Sequence, residues 1–200
     1  MSTLLQQLDD EVATVVRDAR RSLVQVRNRR HGAGAGTVWH PDGLVLTNAH
    51  VAGRGPIDVL LSDGRSLPAR ILARSDTLDL AALTVDARGL PVMEPGESRR
   101  VRPGQPVMAL GHPWGVVGAV AAGVVIGVGR DWLEGAAPER EWIGVSLKLR
   151  PGNSGGPLID GHGKLVGVNT VMTGPEVGLA VPVHVVKAFL VEALGSQRAA

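Results

Sequence analysis

The chain has no cysteine, no tyrosine and a single phenylalanine among its 200 residues. Without cysteine there is no disulfide framework and no thiolate metal site. With aromatic residues at only 2%, the core must be filled by Val, Leu, Ala and Gly, a mixture that favours strands and tight turns over helices. Excess charge is also scarce. The formal net charge of +2 is too small to argue for a polyanionic partner. The first residues, Met1 to Gln7, lack a basic region followed by an apolar core, so they do not read as a signal peptide. As written, the chain is expected in the cytoplasm, or in the periplasm or outside the cell if it is a trimmed form. No His-Glu-x-x-His occurs and the acids are scattered, which leaves a metallohydrolase without ligands. No metal and no cofactor is expected.

From Val107 to Gly129 there is no charged side chain, a stretch long enough to cross a bilayer. Gly111-His112-Pro113-Trp114-Gly115 cuts it in the middle and Gly118, Gly123 and Gly127 punctuate the rest. Buried strands joined by turns fit that pattern, and stable membrane insertion is not expected. The basic cluster from Arg17 to Arg30 carries no interleaved aromatics, so it reads as a solvated face rather than a nucleic-acid surface.

What is present reads mostly as strands. Two hundred residues suit one compact domain or a pair of small fused barrels. Leu4, Leu8, Val12, Val15, Val16 and Ala19 recur at helical spacing, with acids early and arginines late, predicting a helix over about residues 3–20. Ser22 to Arg27 alternates as a strand. Gly32-Ala33-Gly34-Ala35-Gly36 imitates a phosphate loop, but a strand follows it instead of the helix that a phosphate would need. His40-Pro41-Asp42-Gly43 marks a hairpin turn. The segment from Glu94 to Gln105 reads as a linker, further strands are expected between 106 and 181, one of them over 142–149, and Pro182 opens a last helix.

Three places carry chemistry. Arg150-Pro151-Gly152-Asn153-Ser154-Gly155-Gly156-Pro157 holds one serine on a turn of glycines and prolines. Such a turn can expose a hydroxyl and free the neighbouring amides, as acyl transfer requires, although a plain strand-to-strand turn looks the same. A serine nucleophile needs a base, and histidine titrates near working pH. The imidazole in turn needs an anion behind it. His50 closes an apolar strand in Thr47-Asn48-Ala49-His50-Val51. Asp79 lies inside the apolar run of residues 78–83, where a carboxylate needs a donor, whereas Asp76 at the polar edge suits a turn or cap.

These segments resemble the three signatures of HtrA/Deg-type serine proteases, a branch of the chymotrypsin-like enzymes, in the order His50, Asp79, Ser154. The resemblance runs from about Ser22 to Lys187 and includes the Ala109–Gly115 loop and the Gly178–Pro182 strand. It implies an all-β fold of two six-stranded antiparallel barrels with a helix at each end. The expected division is a helix over 1–20, barrels over 21–96 and 106–181 joined by a linker over 97–105, and a helix over 182–200. It also implies Ser154 as nucleophile, His50 as general base and acid, Asp79 as the orienting carboxylate, and the amides of Gly152 and Ser154 as the oxyanion hole. Leu149, Met172 and Thr173 match the primary specificity pocket, which implies small or medium apolar side chains at the cut site. Asn153 stands where trypsins have an aspartate, which implies no zymogen cleavage.

The implied activity is endopeptidase cleavage of unfolded or flexible polypeptides, in a chain reduced to a protease domain without a PDZ domain. The alternative is a protease-fold module that binds peptides or acts as a chaperone without cutting them. Two departures stand out. The polar run that the family carries before the active-site turn is here Val145 to Arg150, with Lys148 in it. The N-terminal segment lacks the aromatics that knit such proteases into oligomers, so a homo-oligomer is possible but unsupported by it.

Overall fold

The computed structural model describes residues 3–30, 32–130, 140–172 and 176–195. In chain order these form α1 (Leu4–Ser22), β1 (Leu23–Asn28), β2 (Gly32–His40), β3 (Leu44–Thr47), a one-turn helix α2 (Ala49–Ala52), β4 (Ile57–Leu60), β5 (Ser66–Ser75) and β6 (Leu80–Val85). There follow β7 (Pro106–Gly111), β8 (Ala119–Gly129), β9 (Trp142–Ser146), β10 (Pro157–Asp160), β11 (Leu165–Met172), β12 (Val177–Pro182) and α3 (Val183–Leu194).

The strands close into two antiparallel barrels of six, ordered β1-β2-β3-β6-β5-β4 and β10-β11-β12-β9-β8-β7. Compact aliphatic side chains, most of them β-branched, make this possible. Val24, Val26, Val38, Val45, Val59 and Leu83 fill the first barrel. Val107, Val125, Ile143, Val145, Leu158 and Val166 fill the second. A third cluster, including Leu46, Leu80, Leu110, Ile159, Val181 and Phe189, lies between the barrels and under α3. Each such side chain, fully buried, contributes about 1.5–3 kcal/mol of transfer free energy. The cleft described below opens along the seam that this cluster seals.

Several expectations change in detail. The N-terminal helix starts with a capping box between Thr3 and Gln6, so its start is set by hydroxyl and amide rather than by the acids, none of which lies in the first turn. The glycine run is not a loop before a strand. It is itself part of β2, paired with β1 from Gly32 to Thr37. His50 does not end a strand but sits on the single turn of α2. The strand expected to reach residue 149 stops at Ser146, and α3 ends at Leu194 with Gly195 as its cap. The uncharged stretch from Val107 is β7, a 3-10 turn at Pro113–Gly115, and β8. No helix among the described residues is long and apolar enough to cross a membrane.

Candidate active site

His50 and Asp79 come from the first barrel and meet at its end. The Asp79 backbone is left-handed, at φ 53°, a conformation that few non-glycine residues adopt. It is stabilised on two sides. Asn48 Nδ2 donates to the Asp79 carbonyl at 2.9 Å, and the carboxylate is bound three times over. It accepts the His50 amide at 3.0 Å on Oδ1. It meets the His50 ring through Nδ1 at 3.0 Å on Oδ1 and 2.8 Å on Oδ2. The Thr170 hydroxyl of β11 donates to Oδ2. Burial pushes the Asp79 carboxyl up, but the bonds from His50 and Thr170 together outweigh it and hold the group below its ordinary value. With Nδ1 donating to this carboxylate, the lone pair of the ring is on Nε2.

Ser154 comes from the second barrel, on the turn between β9 and β10. Its carbonyl accepts the Ala35 amide of β2 at 2.8 Å, which ties the turn to the opposite barrel. Gly155 must be glycine, because its φ is +83° and a Cβ there would stand 2.2 Å from the Ala35 carbonyl oxygen and 2.3 Å from Thr47 Oγ1. The Ser154 hydroxyl donates to the Thr170 carbonyl at 2.8 Å, not to His50. Thr170 therefore touches both halves, through its hydroxyl to Asp79 and its carbonyl to Ser154.

The peptide before the serine is fixed from its rear. The Pro151 carbonyl accepts the Trp114 amide at 3.3 Å, and the Gly152 carbonyl accepts the His112 amide at 2.9 Å. In a trans peptide C=O and N–H point in opposite directions, so the Gly152 N–H faces away from Trp114. Neither the Gly152 nor the Ser154 amide donates to a backbone carbonyl among the described residues. Gly152 has φ +103°, and a Cβ there would stand 2.4 Å from the His112 carbonyl oxygen. Asn153, buried, accepts the Arg150 amide through Oδ1 at 2.9 Å and so closes the turn on itself.

His50, Asp79, Gly152 and Ser154 line one cleft of about 810 Å³. Leu149 and Met172 line it too, while Thr173 lies outside the described residues. Lys148 is exposed between buried Leu147 and Leu149, so strand-like alternation persists into the turn and turns its charge outward. Sequence reasoning missed Arg74, Arg140 and Trp142 in the cleft wall. Arg74 is paired with Asp76, and Arg140 donates to the Asp76 carbonyl at 3.3 Å while lying over the Trp142 ring. Thr170 was also missed. Its only sequence signal is a hydroxyl inside an apolar strand. Among the described residues no cluster of three or more His, Asp or Glu side chains could hold a metal ion. His184, away from the cleft, bonds Glu141 at 2.8 Å, which holds that carboxyl below its ordinary value.

A family model described as a trypsin-like peptidase domain matches residues 34–168. Serine protease HTRA2, mitochondrial, of Drosophila pseudoobscura pseudoobscura is 40% identical over 162 residues, a match that covers 78% of this chain and 38% of that protein. The corresponding protein of Drosophila grimshawi is 34% identical over 205 residues, covering 94% of this chain and 48% of that one. This chain thus spans less than half the length of these curated relatives. A solved structure of HtrA-type protease AlgW with tripeptide superposes with a TM-score of 0.84 at 31% identity, covering 93% of this chain and 64% of that one.

Proposed function

This chain belongs to the trypsin-like peptidases, and from that premise we propose that it is a serine endopeptidase acting on unfolded or flexible polypeptide segments. Ser154 is the nucleophile, His50 the general base and then acid, and Asp79 the carboxylate that orients the ring. The observation that carries this reading is the Asp79 carboxylate, which fixes the His50 tautomer while lining the same cleft as Ser154.

The chemistry follows from the geometry. The Ser154 hydroxyl leaves the Thr170 carbonyl, gives its proton to His50 Nε2 and attacks the scissile carbonyl carbon. The oxygen of that carbonyl takes up the negative charge and receives the Gly152 and Ser154 amides, which have no other backbone partner among the described residues. His50 passes the proton to the departing amine, the C–N bond breaks, and an acyl-enzyme remains for water to hydrolyse by the same steps in reverse. Leu149 and Met172 give the cleft apolar surface that suits small or medium apolar side chains before the cut.

One observation favours a second reading, a module that binds peptides without cutting them: the Ser154 hydroxyl is bonded to Thr170 rather than to His50. A fluorophosphonate probe separates the two. Labelling at Ser154, absent in Ser154→Ala, together with loss of casein cleavage in that variant, is the expected result. Full casein cleavage by Ser154→Ala would end the protease reading, and peptide binding without any labelling would establish the other.

A further inference from the structure

The two carbonyls behind the oxyanion turn both rest on the stretch between β7 and β8, through the amides of His112 and Trp114. That stretch is anchored by buried His112 and Pro113 but is held lightly beyond them. Trp114 is 72% exposed, its ring met by the Arg150 guanidinium 5.0 Å from the centroid, and Val117 is 78% exposed, so no core packing fixes the outer half. Two local turns, Gly115 N–H to the His112 carbonyl and Val116 N–H to the Pro113 carbonyl, shape the inner half only. The outer end is closed at Gly118, whose amide donates to His112 Nδ1 at 3.3 Å. This bond requires a neutral imidazole, and burial pushes His112 below its ordinary value.

Gly118 is in turn pinned from outside. Its carbonyl accepts Arg20 Nε at 2.7 Å, a charge-assisted bond between residues 98 apart in sequence. The arginine comes from a fixed platform, since its neighbours Ala19 and Ser22 are buried and Val15 and Val16 pack on the cluster between the barrels. The neighbouring arginine of α1 with a side-chain bond, Arg17, reaches only Thr14 on its own helix. The route is therefore continuous: Arg20 to Gly118, Gly118 to His112, and from there to the turn at two points, the His112 amide on the Gly152 carbonyl and the Trp114 amide on the Pro151 carbonyl, whose peptide carries the Gly152 N–H.

We propose that Arg20 is a positioning residue for the oxyanion turn, acting through Gly118 and the His112–Trp114 segment on the peptides either side of Gly152. It touches neither substrate nor reacting atoms. The N-terminal helix thereby contributes to turnover from the rim of the molecule. The inference rests on the reading of Gly152 as an oxyanion donor, and its test is arranged to tell failure of the one from failure of the other.

Arg20→Met keeps the apolar stem and removes the donors, Arg20→Lys keeps a cationic donor, and Arg17→Met is the control on the same helix. On a fluorogenic peptide, Arg20→Met is expected to lower kcat about five- to tenfold with KM within about twofold, the pattern of an interaction made in the transition state. Fluorophosphonate labelling should slow by the same factor. Arg20→Lys should restore most of the rate, Arg17→Met should match the wild type, and melting temperatures should agree within about 2 °C. Peptide affinity measured in the Ser154→Ala background should not change with Arg20→Met. Wild-type kcat in Arg20→Met would overturn the proposal, as would a loss shared by Arg17→Met, or one that comes with a lower melting temperature and a raised KM. If the wild type itself is neither labelled nor active, the endopeptidase reading falls, and amide exchange still decides the coupling. Faster exchange at the His112 amide in Arg20→Met supports it, and unchanged exchange refutes it.

Discussion

The two barrels supply the site by different means. From the first come a carboxylate and an imidazole held by side-chain bonds, with Asp79 receiving His50 twice and Thr170 once. From the second comes a serine whose surroundings are almost entirely backbone, with carbonyls and amides of residues 151–156 paired to Trp114, His112 and Asn169. The difference teaches where each half is fragile. The first half fails when a polar group is exchanged, because a buried charge loses its partner. The second fails when a side chain is added, because there is no room for a Cβ.

Exchanging the charge itself breaks the comparison hardest. Asp79→Asn should fold and yet lose about 10⁴ in kcat, as the ring settles in the wrong tautomer. Should Asp76→Asn cause that loss instead, the orienting acid has been misassigned, since Asp76 is bound to Arg74. The same variant has a signature in stability. The Asp79 carboxyl is held below its ordinary value of 3.8, so its stabilising contribution is complete above that value and fades as pH falls through the lower, folded one. Acid titration of the melting temperature should therefore fall less steeply below about pH 4 in Asp79→Asn than in the wild type.

Gly152→Ala tests the other half. The added methyl would press on the His112 carbonyl and turn the Gly152 amide, at an expected cost of about 10²–10³ in kcat, the usual loss for one oxyanion donor. Steady-state kinetics would show the effect in kcat, and unchanged turnover would mean that this amide receives no charge. Thr170→Val sharpens the contrast by removing one of the bonds to Asp79 while keeping the strand. A fall of about tenfold is expected, smaller than for Asp79→Asn because the imidazole retains its partner. The smallest effect belongs to Lys148→Ala. As the charge faces outward, cut-site profiling of a peptide library should stay apolar, and an acidic preference lost in that variant would show that the ammonium reaches substrate.

The sequence revealed residue types and local motifs well, and long-range pairing badly. His50, Asp79 and Ser154 were legible because each is a chemically unusual residue in a distinctive short setting: a histidine ending an apolar run, an acid inside one, a serine among glycines. The barrels followed from the family resemblance, while composition alone reached no further than strands. Thr170 was invisible, since a threonine in a strand looks like any other until β11 is laid beside Asp79, 91 residues away in the chain. Arg20 was worse than invisible. Its place in a basic cluster reads as a solvated face, and nothing nearby hints at a carbonyl between β7 and β8. The end of β9 and the one-turn helix at His50 were missed because neither has the length that periodicity needs.

The order of the residues along the chain has a temporal meaning. A ribosome delivers the first barrel with its imidazole and carboxylate well before the strand that carries Thr170 exists. At about 5–20 residues per second, the interval between Val85, where β6 and the first barrel end, and Gly152 is roughly 3–13 seconds. Through that interval a complete first barrel holds a base and its acid but no nucleophile and no oxyanion donors. The nascent chain therefore cannot attack itself or its neighbours while its strands are still open. Competence arrives only when the last third of the polypeptide closes the seam.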